Sequence, residues 1–363
     1  MVADKLASAG KARQSASPTN EAGNALAYSY WFGTFVIRGS VAPRIILDVF
    51  GFGILAAVMV FAVQRIEASF NVSLAVPAGP FEAAGAVLSL LLVLRVNSGY
   101  SRWWEARILW GGIVNQTRNL AIVGLAYGPG DAQWRSRFVR WIAVLPHVCR
   151  RSLRAQRSLP ELHRLLSDES LAWIEKAEHM PDAVASEIAV LLRKARTLGM
   201  DGFAFQKAEE HRAMLIDQLG GCERIASTPL ARSTAIQVRQ FIFLLLITLP
   251  FGLMQDLEED PTDLSTSRIN TRQVLIVPMY VMLFAYPLLS LDRIGMELQN
   301  PFCTQRIDFL PLDSICTMIE RNVLELLQES ENQQAAAPSP VDVKLPPDAA
   351  FSENHGDLPV DIS

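Results

Sequence analysis

Cysteine and histidine are scarce in this chain of 363 residues, which holds four of the first and five of the second. Cys149, Cys222, Cys303 and Cys316 lie far apart, with no Cys-x-x-Cys pair and no metal-like spacing to a histidine. That pattern argues against a disulfide framework and a zinc site; the cysteines read as small buried hydrophobes in a reducing compartment. A formal net charge of −4 is too small to steer nucleic acid, so no nucleic-acid partner is expected. Catalytic signatures are missing too. There is no Gly-x-Ser-x-Gly, no phosphate-binding loop, no His-Glu-x-x-His and no carboxylate pair inside an apolar run. His147 and Cys149, two apart, point to different faces of a helix and do not make a nucleophile and its base. No catalytic residue, metal or cofactor is therefore expected, and the chain does not read as an enzyme.

Strand-like alternation is equally scarce. The first thirty residues are polar, with Lys5, Lys11 and Arg13 but no apolar core and no cleavage-like end, so they are not a secretory signal peptide. Their Ser/Ala-rich first twenty residues leave an organellar transit segment open.

What is present is apolar surface. Half of all residues are hydrophobic and only 19% are charged, giving a mean hydropathy of +0.21, high for a soluble protein. The apolar residues gather in four runs. The first lies between Arg44 and Arg65, broken by Asp48; the second is Ala83–Leu94; the third is Gln240–Gln255; the fourth is Gln273–Leu291. A hydrocarbon core about 30 Å thick needs about 20 apolar residues per helix. The first and fourth nearly meet that, and the third is short. The second, at twelve residues, is too short to face lipid along its whole length; if it crosses, its polar ends need shelter from water or from other subunits, as a pore-lining helix has. The expected membrane helices span about 43–64, 80–98, 236–256 and 273–291.

Charge orders these runs. Arg65 is the one Lys/Arg between runs one and two, and Arg268 and Arg272 are the two between runs three and four. The intervening 95–239 segment is dense in arginine. The positive-inside rule places both termini and 95–239 in the cytoplasm, with the 66–81 and 256–271 loops outside.

Helical periodicity continues past the second run. Tyr100, Trp103, Trp104, Leu109, Trp110, Ile113, Val114, Thr117 and Leu120 recur at steps of three and four, the pattern of one long amphipathic helix leaving the membrane. Gly111-Gly112 marks either a kink or a close helix approach. Phe138, Trp141, Ile142 and Leu145, and later Ile188, Val190, Leu191 and Leu192, carry similar patterns, with Pro160 and Pro181 as boundaries. Asp313 is placed to cap a helix bearing Ile315, Met318, Ile319, Val323, Leu326 and Leu327. Residues 331–363, rich in Pro, Ala and Asp, and residues 1–30 are expected to be disordered. The organisation is thus all-α: one domain over 31–330, with helical cytosolic parts at 99–235 and 292–330.

The segment Arg95–Arg118, RVNSGYSRWWEARILWGGIVNQTR, allows Arg102 and Glu105 to pair at i,i+3, with Arg102, Trp103 and Trp104 as an amphipathic belt at the cytoplasmic membrane edge. Its string SGYSRWWEARILWG closely resembles the motif after the second membrane helix of bestrophins, especially the bacterial homologues and plant thylakoid chloride channels. Arg38-Gly39-Ser40, Gly221-Cys222-Glu223-Arg224 with Thr228-Pro229, and ELQNPFCTQRIDFLPLDSIC, which holds Asn300, Pro301, Phe302 and Asp313, are similar to family strings in the same order. These matches span 38 to about 328; within the motif that opens on Arg102, the string Trp103, Trp104, Glu105, Ala106, Arg107 is specific in itself, as is Leu310, Pro311, Leu312, Asp313.

The resemblance implies a homopentamer around one central pore, each subunit supplying four membrane helices and a helical cytosolic domain, with membrane lipid and chloride or other small ions as partners. It implies a pore neck at Ala86, Leu90 and Leu94, with Val87 and Leu91 as alternates if the helix is rotated. The first three are spaced by four and share a helix face on that ground alone. The family uses bulkier Ile or Phe there, so Ala86 widens the outer layer and the two leucines form a dewetting constriction. A second, cytosolic constriction is implied at Phe203 or Phe205. Eukaryotic members bind calcium in an acidic cluster after the fourth helix; with only Asp308 and Asp313 here, too few oxygen ligands are offered and no calcium site is expected.

The expected function is passive conduction of monovalent anions such as chloride, in the cell membrane or, alternatively, the thylakoid membrane. Two other readings stand beside it: a cation-selective channel on the same scaffold, or a non-conducting membrane scaffold. Glu67 and Glu82 make the outer mouth acidic and favour cations; Arg95 and Arg102, expected just inside the neck, favour anions.

Overall fold

The computed structural model describes residues 39–70, 76–77, 79–228, 232–257 and 271–336. Among them the regular structure is helical throughout. In chain order the α-helices are α1 (Ala42–Phe70), α2 (Gly79–Tyr127), α3 (Ala132–Leu153), α4 (Asp168–Lys176), α5 (Met180–Thr197), α6 (Gly202–Ser227), α7 (Arg232–Asp256), α8 (Thr271–Glu297) and α9 (Leu312–Ala336), with one 3-10 turn at Pro160–Leu162. The expected segments 1–30 and 337–363, and Arg38 and Pro229 of the motif strings, lie outside the described residues. The end of the expected tail is helical to Ala336.

Four of these helices (α1, α2, α7 and α8) are long and apolar enough to cross a membrane. All four expected spans fall on them, each helix reaching beyond its apolar run. The reason is that a run is counted to the first charge, whereas backbone hydrogen bonding continues through charged turns. Pro250, Pro278 and Pro287 sit inside α7 and α8, a placement that packed neighbouring helices make tolerable in membrane bundles.

Two small apolar cores tie the four together. Ala56 and Val60 of α1 meet Met254 of α7 and Val277 and Val281 of α8. Leu88 and Leu92 of α2 meet Val238, Ile242 and Leu246 of α7 and Ala285 of α8. Gly295 of α8 and Gly99 of α2 let these backbones touch: a Cβ on Gly99 would stand 3.1 Å from the Gly295 carbonyl oxygen.

The second helix is the spine. At 49 residues and 1.5 Å each it is about 74 Å long, more than twice the hydrocarbon thickness. It passes through Gly111-Gly112 without a break. Of the two readings of that pair the close approach holds, because a Cβ on Gly112 would meet the Gln218 side chain of α6 at 2.7 Å. Past the membrane run, Trp110, Ile113, Thr117 and Leu120 form its buried stripe in the helical domain, whose core also takes Phe138, Trp141, Ile142 and Leu145 of α3 and Ile188, Leu191 and Leu192 of α5. Val190 instead faces outward. Local signals start the domain helices where the side chains allow. Asp131 caps α3 by accepting from the Gln133 N–H, Asp201 caps α6 by accepting from Phe203 and Ala204, and Pro181 sits in the first turn of α5. The Arg135 guanidinium donates to the Leu125 carbonyl and so satisfies one of the open carbonyls in the last turn of α2.

Candidate functional site: the open face of α2 and the junction below it

The membrane part of α2 has two opposed faces. Leu88, Leu92, Arg95 and Gly99 are buried against α7 and α8, spaced by three and four. About half a turn away, Ala86, Leu90, Val93, Leu94, Asn97 and Ser101 are all exposed. Leu90 and Leu94 keep 61% and 54% of their surface open, too much for side chains this apolar to face water by default. Only 17% of the most apolar window of α2 is buried within the chain, against 28% for α1. The structure thus brings Ala86, Leu90 and Leu94 together on one uncovered stripe. Val87, 61% exposed, flanks it beside a cavity of about 460 Å³ next to Phe241 and Leu244 of α7. Leu91 turns inward and packs on the α2–α7–α8 core.

Two sequence-based expectations fail here. Arg95 and Arg102 do not point along the open stripe. Arg95 lies on the buried face, with its guanidinium 2.5 Å from Asp292 of α8 and donating to the Ala235 carbonyl at 3.2 Å. Asp292 also holds Arg239 of α7 at 3.1 Å, so one carboxylate ties three helices. Arg102 does not hydrogen-bond Glu105 either. Its Nη2 donates to the Ile225 carbonyl at 2.5 Å and its Nε to the Gln299 carbonyl at 3.3 Å. Glu105 pairs instead with Arg224 at 2.5 Å. The i,i+3 pairing fails because orphan carbonyls at the end of α6 and in the 298–311 loop need donors, and a guanidinium with five N–H groups can serve both.

Three of the motif strings, those holding Arg102, Arg224 and Asn300, lie far apart in the chain and meet at this point. Trp103 Nε1 donates to the Asp308 carbonyl at 2.8 Å and its ring packs on the domain core, so Trp103 is a packing residue rather than a membrane belt. Trp104, half exposed, stays outside and stacks with Tyr100 and Trp103 at centroid distances of 6.4 and 6.5 Å. Arg107 is exposed on α2. The loop after α8 is shaped by its own side chains. Asn300 Oδ1 accepts from the Phe302 N–H at 3.2 Å, the Pro301 carbonyl accepts from the Leu310 N–H at 2.7 Å, and Phe302 is fully buried. Glu297, fully buried, holds Arg44 of α1 at 2.5 Å and Arg293 at 2.9 Å and accepts from the Ile307 N–H. Its place in the ELQNPF string was the one signal for it.

Asp313 lies in the first turn of α9 rather than before it, since the helix starts at Leu312. Its carboxylate is taken by Arg150 at 2.7 Å and Arg154 at 2.8 Å of α3, and the Arg154 hydrogen bond keeps it below the usual carboxylate range. Among the described residues no three His, Cys, Asp or Glu gather closely enough to hold a metal. Phe203 and Phe205 part company: Phe203 is 84% exposed at the start of α6, while Phe205 packs against the domain core. Cys149, Cys222 and Cys316 are buried and free. Burial drives the Cys149 thiol well up, and those of Cys222 and Cys316 to about 12, so none is a poised nucleophile. His147 hydrogen-bonds Glu320 at 2.9 Å, not Cys149.

Four membrane-length helices, one of them running on into a helical domain and leaving an uncharged face uncovered, define a multi-pass membrane protein. A family model described as Bacterial/Fungal Bestrophin protein matches residues 27–325, and the chain belongs to the bestrophin family. It is 32% identical over 300 residues to a voltage-dependent anion channel-forming protein of Mesorhizobium japonicum, covering 82% of this chain and 89% of that one. It is 28% identical over 302 residues to the voltage-dependent anion channel-forming protein YneE of Escherichia coli K12, covering 83% and 90%. Among solved structures, a bacterial bestrophin homologue from Klebsiella pneumoniae, crystallised as a point variant, shares the fold at a TM-score of 0.68 and 24% identity, covering 78% of this chain and 98% of that one.

Proposed function

We propose that this chain is the pore-forming subunit of a homopentameric channel of the cell membrane that passively conducts small monovalent anions such as chloride. The observation that carries this reading is the open stripe Ala86, Leu90, Val93 and Leu94 on α2, apolar and free of charge, opposite the face that packs on the bundle. Cyclic closure of identical subunits covers such a stripe by turning it toward a shared axis. There Leu90 and Leu94 form a hydrophobic neck that gates by making a narrow passage unfavourable for water, with Ala86 as its wider outer layer. Phe203, exposed at the start of α6, supplies the second constriction. The relatives named as anion channel-forming proteins support the sign of the ion; with Arg95 and Arg102 turned away from the stripe, no arginine of the neck does so. The chemistry asked of the chain is passage rather than catalysis.

One observation favours the cation reading on the same scaffold. Glu82 stands exposed in the first turn of α2, at the outer end of the stripe, where a ring of carboxylates would attract cations. Reconstitution of the full chain into planar bilayers under asymmetric potassium chloride decides. A reversal potential that follows chloride supports the proposal, one that follows potassium supports the cation reading, and silence at every voltage leaves the non-conducting scaffold.

A further inference from the structure

An anion leaving a hydrophobic neck has shed part of its hydration and needs hydrogen-bond donors at the first opportunity. The residues below Leu94 show which donors are free. Arg95 and Arg102 are turned to the buried side and engaged with Asp292 and with backbone carbonyls. The Ser98 hydroxyl donates to the Leu94 carbonyl at 2.9 Å and the Ser101 hydroxyl to the Asn97 carbonyl at 2.9 Å, so both protons are spent on the helix itself. Asn97 is different. It is exposed, and its amide has no partner among the described residues. Seven residues after Leu90, it returns to nearly the same angle about two turns on, about 10 Å further along the axis. No carboxylate or cation shares the exposed stripe between Ala86 and Trp104.

We propose that Asn97 is the specificity-determining residue of the conduction path: its amide N–H groups, one set from each subunit, form a neutral donor ring that receives the partly dehydrated anion at the inner end of the Leu90–Leu94 neck. This rests on the reading of α2 as the pore helix. The selectivity then comes from oriented amide dipoles without fixed charge, which bind weakly enough to release the ion. Replacing the amide by a carboxylate keeps the size of the side chain and reverses what the ring offers.

The test is the reversal potential of the full chain in bilayers under asymmetric potassium chloride, for the unaltered protein, Asn97→Asp and Leu90→Ala. The expected result is an unaltered protein that follows chloride and an Asn97→Asp protein whose chloride-to-potassium permeability ratio falls by at least about tenfold, equivalent to about 1.4 kcal/mol. Should Asn97→Asp fail to assemble, Asn97→Cys in a Cys303→Ser background is modified after reconstitution with a negatively charged methanethiosulfonate reagent, which should lower the same ratio. The other three cysteines are buried. A conducting protein whose ratio is unmoved by the aspartate, or by thiol modification, overturns the role of Asn97 and leaves the pore helix standing. An unaltered protein that follows potassium overturns it as well. Silence of both the unaltered protein and Leu90→Ala overturns the pore reading and this inference together.

Discussion

The Arg95 guanidinium of α2 lies 2.5 Å from the Asp292 carboxylate of α8, with side chains only 5% and 12% exposed. Arg239 of α7 shares the same carboxylate. A buried pair of this kind contributes little net stability when whole, because two charges have lost their hydration, but breaking it strands one of them.

Asp292→Asn should therefore cost about 3–5 kcal/mol, since it leaves the Arg95 charge buried without its counter-ion. Thermal unfolding in detergent reads this. The double variant Arg95→Met/Asp292→Leu should recover most of the loss. If the losses of the single variants Arg95→Met and Asp292→Leu simply add in the double, the coupling is absent.

Leu90 and Leu91 are neighbours with opposite fates, and single alanines should separate them. Leu90→Ala and Leu94→Ala should leave the thermal stability of the detergent-solubilised protein nearly unchanged and raise the open probability in bilayers. Leu91→Ala empties part of the α2–α7–α8 core and should cost up to about 2 kcal/mol, at the low end for a Leu-to-Ala change because Leu91 is only partly buried. A rise in current with Leu91→Ala alone would assign the neck to the alternate register.

The two phenylalanines at the start of α6 make a similar contrast. Phe203→Ala removes a ring that is 84% exposed and should move the unfolding temperature little, while increasing single-channel conductance. Phe205→Ala, which loses packing against the domain core, should destabilise by about 2 kcal/mol or more. Equal stability losses for both would remove Phe203 from the constriction.

Acid should weaken the helical domain through His147. The imidazole is buried between Arg150 and Glu320, which also holds Arg164. Burial first, and then Arg150, push it below the usual histidine range, against the pull of Glu320 and Glu161. The unfolded chain takes up this proton near pH 6.5 and the folded chain only lower, so stability is full above about pH 6.5 and falls as the pH drops below it. His147→Gln should flatten the decline measured by denaturant unfolding between about pH 7.5 and 5. An unchanged slope would show that other groups carry it. Asp313, held low by Arg154, adds a separate loss as the pH falls through the carboxylate range.

Much of this architecture is legible in the chain itself. Four apolar runs set four membrane helices, because a bilayer of fixed thickness demands apolar length. The three- and four-residue spacing after Leu94 set the long continuation of α2, and Ala86, Leu90 and Leu94 share a face by helical period alone. Period, however, says which residues lie together and not which face is covered. That was decided by contacts made across the fold. Asp292, almost two hundred residues away, draws Arg95 inward; carbonyls of Ile225 and Gln299 draw Arg102 away from Glu105. The approach of Gln218 turns Gly112 from a kink into a contact. A charge goes where its counter-charge or an unsatisfied carbonyl is, and those partners come from distant segments. The local pattern therefore drew the helices, and the tertiary structure decided which of their faces stayed open.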